Sequence, residues 1–111
     1  MLNNPQAQYV QRGEAIDFVN SGSVDLKAND VVSLDTRVGV AGCDIPVGAT
    51  GSVHVIGVFD IPASTAEAFT VGQAVYWKNS ALTGTATDAV PAGWVVEAKV
   101  ASKSLARVKI G

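Results

Sequence analysis

The sequence predicts an all-β fold, a small single-domain barrel or sandwich of about eight short strands, on three observations. Apolar residues recur with a period of two in many short segments, as on a half-buried strand. Turn-forming Gly, Asn, Asp and Pro punctuate those segments every ~8–12 residues. The one stretch with helix propensity, 63–68 (ASTAEA), is too short to be a stable helix on its own.

Taken in order, the polar opening MLNNPQAQ and the residues up to Gly13 read as an extended or flexible arm. The single β domain is then 14–111. Tyr9 to Arg12 is a short extended piece, and 14–19 a strand with Ile16 and Phe18 on one face. Asn20-Ser21-Gly22-Ser23 is a turn signal, since Asn and Gly tolerate positive φ. Brief strands follow at 24–26, 31–34 and 37–41, and 42–51 (GCDIPVGATG) reads as a loop. The most hydrophobic segment, 52–59, carries apolar groups on both faces and is expected to be one central strand, or one covered by another subunit. Residues 63–68 are a turn or short 3₁₀ piece. A strand at 73–77, a tight turn at Asn79-Ser80, a short strand at 81–83 and a loop to Pro91 come next. On 92–100, strict alternation places Ala92, Trp94, Val96, Ala98 and Val100 on one face, and 105–110 closes the chain. Phe59, Val75, Trp77, Trp94, Val96 and Val108 are the expected core anchors, with both tryptophans on strands flanking the 79–91 loop.

A chain of 111 residues supplies one domain and buries roughly 60–70% of its unfolded surface. Charged residues make up only 16% of it, which suits a surface of small side chains that packs on partners and equally a small β domain whose turns use Gly and Thr. The net charge of −2 argues against generic nucleic-acid binding, where phosphates call for clustered cations. The charge is unevenly spread. Residues 1–77 balance at −5, with Arg12, Lys27 and Arg37 as the only cations, whereas 78–111 balance at +3, with Asp88 and Glu97 as the only acids. Such polarity can set the register in which like subunits or a partner surface associate, although ordinary solvated strand faces account for it more simply. One cysteine, Cys43, forms no internal disulfide. The N-terminus lacks the basic and apolar regions of a signal peptide, and no apolar run approaches a bilayer span, so the expectation is a soluble protein made in a cytoplasm and not associated with membrane.

Catalytic chemistry finds little footing. The Gly-rich stretch 42–51 has no Lys and lies between strands, so it is not a phosphate-binding P-loop, and no GxGxxG occurs. One Cys and one His, Cys43 and His54, cannot make a zinc site within a chain. As a nucleophile–base pair they are a poor candidate, because His54 lies in an apolar strand. Asp35, Asp44 and Asp60 could offer oxygens to calcium, but they lack EF-hand spacing and fit turn-capping better. Tyr76, Trp77 and Trp94 with Lys78, Lys99, Lys103, Arg107 and Lys109 could form a stacking, cationic face for single-stranded nucleic acid. Their alternation fits a core better. The expectation is no enzyme, no cofactor and no metal.

Three motifs in order carry a resemblance: GVFDIP at 57–62, GQAVYW at 72–77, and the terminal GWVVEA…ARVKI spanning 93–110. They resemble the DUF2190 family of tailed-phage capsid decoration or cement proteins over roughly residues 10–111. Some relatives carry a RecA-like recombinase label, which the missing P-loop and the short chain contradict here. The resemblance implies a non-enzymatic structural virion protein on the outside of a phage head, partnered by the major capsid protein and acting as a homo-oligomer. A trimer is the first expectation by analogy. Capsid or subunit contacts are then expected from the arm, at Asn3, Asn4, Gln6, Gln8, Tyr9 and Arg12, and from the 79–91 loop, at Asn79, Leu82 and Asp88. The alternative is a single-stranded nucleic-acid-binding accessory of phage recombination.

Overall fold

A computed structural model describes residues 6–111 as nine strands, with no helix among the described residues. The strands are β1 (Ala15–Val19), β2 (Val31–Ser33), β3 (Val38–Ala41), β4 (Thr50–His54), β5 (Gly57–Pro62), β6 (Ala74–Lys78), β7 (Ala81–Thr83), β8 (Val90–Val95) and β9 (Leu105–Ile110). They form two antiparallel sheets, a four-stranded one ordered β1-β4-β3-β2 and a five-stranded one ordered β5-β9-β8-β6-β7. The architecture is therefore sandwich-like. The five-stranded sheet curls until its two edges touch at a single bridge, Ala63 to Leu82, short of closing into a barrel.

Each sheet builds its own apolar cluster. Val32, Ala41, Ile45 and Val53 form the smaller one, flanked by Ile16, Phe18 and Leu26. The larger is built on the five-stranded sheet and includes Ile61, Phe69, Val75, Leu82, Val95, Val108 and Ile110. β3 joins them. Its Val38 and Val40 enter the larger cluster while Ala41 belongs to the smaller, so this strand is buried on both faces. Gly39 is what lets β4 approach: a Cβ there would meet Val53 Cγ1 at 2.5 Å and the His54 carbonyl at 2.9 Å.

The hydrophobic segment expected as one central strand is two strands in different sheets. β4 pairs β1 and β3, the chain leaves that sheet at Val55-Ile56, and β5 pairs β9. Gly57 marks the switch at φ +145, a region that L side chains rarely adopt. Apolar residues on both faces of 52–59 therefore reflect service to two sheets, not burial between two layers.

The 92–100 segment differs as well. β8 spans Val90–Val95, and only one register holds along β9, Trp94 opposite Lys109 and Val95 opposite Val108. Against β6 the pairing steps from Val75–Gly93 to Tyr76–Pro91, which leaves Ala92 as an extra residue. This bulge flips the phase of the strand. Ala92 is buried on one side of it and Val95 on the other, while Trp94 turns outward. Residues 63–68 contain no helix; they are pinned by hydrogen bonds from the Ser64 amide to the Leu82 carbonyl and from the Ser102 amide to the Thr65 carbonyl. At Asn79-Ser80 both residues have positive φ, +52 and +62, the geometry of a type I′ hairpin turn, as the sequence leads one to expect.

Two buried polar side chains hold loops to this frame. Asn20 Nδ2 donates to the carbonyls of Val24 and Ile45, both at 2.9 Å, and its Oδ1 accepts from the Gly22 amide. Lys99 is 5% exposed; its ammonium donates to the carbonyls of Ser64, Glu67 and Val100 and lies 5.3 Å from the centre of the Phe69 ring. Burying a charge is tolerated when carbonyl dipoles and an aromatic face replace its water. Among the described residues no buried side-chain polar atom lacks a partner.

Candidate interaction surface

The described part of the arm, residues 6–13, carries no strand, and β1 begins only at Ala15. Tyr9 is 80% and Val10 85% exposed, so the two large apolar side chains of residues 6–13 are barely covered by the described residues. Gln6, Gln8 and Arg12 are exposed too; Arg12 Nη2 lies 3.4 Å from Glu14 Oε1 in a fully solvated pair. Asn3 and Asn4 fall outside the described residues.

In the 79–91 region the structure separates the expected contact residues. Asn79 and Asp88 are exposed, and both hold positive φ in turns. Leu82 is not a surface residue: it is fully buried and packs in the larger cluster opposite Trp77. Alternation on the three-residue β7 was too short to assign its face. Below this loop, Glu67 accepts from the Thr83 hydroxyl at 2.8 Å and the Gly84 amide at 3.0 Å, which fixes the loop's start against the 63–68 turn.

Among the expected core anchors, Val75 and Val108 lie in the larger cluster and Phe59 and Trp77 pack against it half-buried. Val96 is half-buried and Trp94 is 43% exposed, because the Ala92 bulge gives the inward position to Val95. An outward tryptophan on a sheet face is an exposed apolar side chain that the alternation placed in the core. The Gly93 that follows the bulged residue was the available signal, since glycine inside a strand often marks a bulge.

Trp94 belongs to a cross-strand row on the outer face of the five-stranded sheet. It pairs Ala74 on β6 and Lys109 on β9, and Lys109 in turn pairs Val58 on β5. One step along, Arg107 reaches Asp60 through two hydrogen bonds of 3.0 and 3.2 Å and Glu97 through a third of 2.9 Å. The bidentate Arg107 guanidinium holds the Asp60 carboxyl below its ordinary value, and the two carboxylates raise Arg107 above its own. This triad edges an open concavity of about 360 Å³ that Leu105, Val100 and Lys103 also line.

The three calcium candidates are separately engaged or held in turns. Asp44 accepts from the Ala28 amide at 2.8 Å and Asp60 is tied to Arg107, while Asp35 sits in a turn at φ +69. Among the described residues no three His, Cys, Asp or Glu side chains cluster as metal ligands. Cys43 is exposed, and the His54 ring lies tilted near Phe59 with centroids 6.2 Å apart. The surface thus offers shape, apolar anchors and paired charges, which equip it for protein–protein contact.

In comparison with known proteins, a family model described as phage cement protein matches residues 10–110. The match covers the β domain and the last residues of the arm, and it agrees in kind with the resemblance read from the three motifs, without extending to the narrower DUF2190 label. No curated protein and no solved structure matches the chain.

Proposed function

Because the chain belongs to the phage cement protein family and is a structural protein of the virion, we propose that it works on the outside of a tailed-phage head by binding the major capsid protein without catalysis. The observation that carries this reading is the family match along nearly the whole chain. Nothing in the comparisons favours the nucleic-acid alternative.

The physical task is to add buried area across joints between capsid subunits, so that internal pressure from packaged DNA meets more contact. A rigid β domain suits that task, and so does an arm with unpartnered apolar side chains. The described part of the arm, residues 6–13, docks on the capsid with Tyr9 and Val10 as its anchors and reaches across a joint. Asn79 and Asp88 on the 79–91 loop supply a second contact. The protein acts as a homo-oligomer, with a trimer at threefold positions favoured by analogy with other decoration proteins. It is made in the host cytoplasm before it joins the head.

Co-sedimentation with expanded capsids tests the reading. Bound protein is expected to raise the capsid's resistance to heat, and absence of binding to heads of its own phage would overturn it. Deleting residues 2–12 is expected to leave the folded domain intact and weaken capsid binding. A deletion that unfolds the domain would refute the arm's role.

A further inference from the structure

We propose that the far end of the four-stranded sheet of one copy docks on the Trp94 row of a second copy, making a head-to-tail contact between neighbouring subunits. The inference goes beyond capsid binding and rests on that reading only for the crowding of copies on a head.

Two exposed apolar surfaces carry it, one in each sheet. The first is a rigid tip. Val19, Val24 and Val47 stand exposed at the end of the four-stranded sheet away from the arm. Asn20 binds the carbonyls of Val24 and Ile45, its backbone exchanges hydrogen bonds with Ala49 and Gly48, and Asp25 accepts from the Val47 amide at 2.9 Å. A loop pair so firmly tied presents its valines in a fixed shape, and a preorganised surface loses little entropy on docking. The second is the row Val58–Lys109–Trp94, in which Val58 is 54% exposed and Trp94, on the other side of Lys109, is 43% exposed. Tryptophan in such a setting is the residue type that dominates protein interfaces.

Charge selects the pairing. Residues 14–54, the four-stranded half, carry Glu14 and five aspartates against Lys27 and Arg37, a balance of −4. Residues 57–111 balance at +1, or at zero without the buried Lys99, and set Lys109 beside Trp94. Tip against tip brings two acidic halves together and is repelled. Tip against the Trp94 row sets Asp25 and its acidic surroundings near Lys109, which is attractive. The contact is therefore heterologous, the kind that generates a ring when its rotation closes.

Cross-linking tests it with the patches left intact. In a Cys43→Ser background, Ser23→Cys places a thiol beside the tip and Ala74→Cys places one beside Trp94; all three positions are exposed. A short bis-maleimide applied to capsids decorated with an equal mixture is expected to give several-fold more dimer than either variant alone, or than Ser23→Cys mixed with a Thr87→Cys control on the opposite loop. Adding Lys109→Glu to the Ala74→Cys partner is expected to abolish the excess, and Lys109→Arg to retain it. A mixture no better than the control, or equal yield from Ser23→Cys alone, would overturn the head-to-tail contact. Co-sedimentation of the same samples keeps the two readings separate. Variants that bind capsids without the mixed cross-link refute the self-contact alone. If the parent itself does not bind, the capsid reading fails, and the self-contact is then decided by the same cross-linking on concentrated free protein.

Discussion

Replacing Gly93 by alanine tests the central claim about β8, that a bulge held open by glycine turns Trp94 to the surface. Gly93 has φ +149, a region that only glycine adopts readily, and the misfit alone costs about 1–3 kcal/mol. Space is a second obstacle. A Cβ at this position would stand 2.0 Å from the Lys109 carbonyl oxygen and 3.0 Å from its carbon, and both belong to the backbone of β9, which no rotamer change can move aside. β8 and β9 would have to part around the Val95–Val108 pair, giving up ladder hydrogen bonds worth about 1 kcal/mol each. Together these place the loss at about 3–5 kcal/mol, a large share of the roughly 5–15 kcal/mol that a domain commands. With a urea m-value of about 2 kcal/mol per molar, the unfolding midpoint should fall by about 2 M. Gly48→Ala is the matched control: its φ is +83 but nothing lies within 4 Å of its Cβ, so only the conformational cost of about 1 kcal/mol remains. Equal midpoint shifts for the two variants would refute the reasoning, because they would show that the close approach of β9 contributes nothing.

Leu82→Ala should cost about 2–5 kcal/mol through the cavity it leaves, whereas Trp94→Ala should cost about 1 kcal/mol or less, despite the larger side chain removed; thermal unfolding of the pair checks the inside–outside assignment. Lys99→Met removes the only donor that the structure gives the Glu67 carbonyl from a side chain and leaves the Ser64 and Val100 carbonyls without it, so a loss of about 2–4 kcal/mol is expected in urea unfolding, with a smaller loss if water enters. Asn20→Ala should cost about 2–3 kcal/mol for the same reason, and hydrogen exchange should locate the loosening in residues 20–26 and 45–49. Asp60 is depressed in the folded state by Arg107, so its contribution is present at neutral pH, above the ordinary value of 3.8, and is lost as pH falls through the lowered one. Asp60→Asn should therefore shift the urea midpoint at pH 7 slightly and leave it unchanged relative to the parent at the acid end of that range; a difference that persists there would refute the ion pair as its source.

Much of the fold is legible in short-range pattern. Period-two alternation places β1, β2, β3, β6 and β9 to within a residue or two, and Asn79-Ser80 marks its own hairpin because few residues accept two consecutive positive φ values. Composition and charge exclude the P-loop and a single-chain zinc site before any coordinate is consulted, and three spaced motifs suffice for the kind of family that the match over residues 10–110 assigns. The surface is less legible, because which face of a strand is buried depends on what lies across from it. Trp94 and Val95 are equally good core residues by hydrophobicity, and the choice between them is made by one extra residue, Ala92, in the pairing with β6. Leu82, on a strand of three residues, reads as a surface contact until the curl of the five-stranded sheet brings it against Ala63.

The sequence alone specifies an all-β chain and most of its turns, because propensity and alternation are local properties. Only the tertiary structure decided that the hydrophobic run 52–59 divides between two sheets at Val55-Ile56, and that β3 is shared by two apolar clusters. It alone turned one of the two tryptophans outward. These are outcomes of strand pairing, in which a one-residue shift reverses every side chain beyond it, and pairing partners are chosen across the chain and not along it.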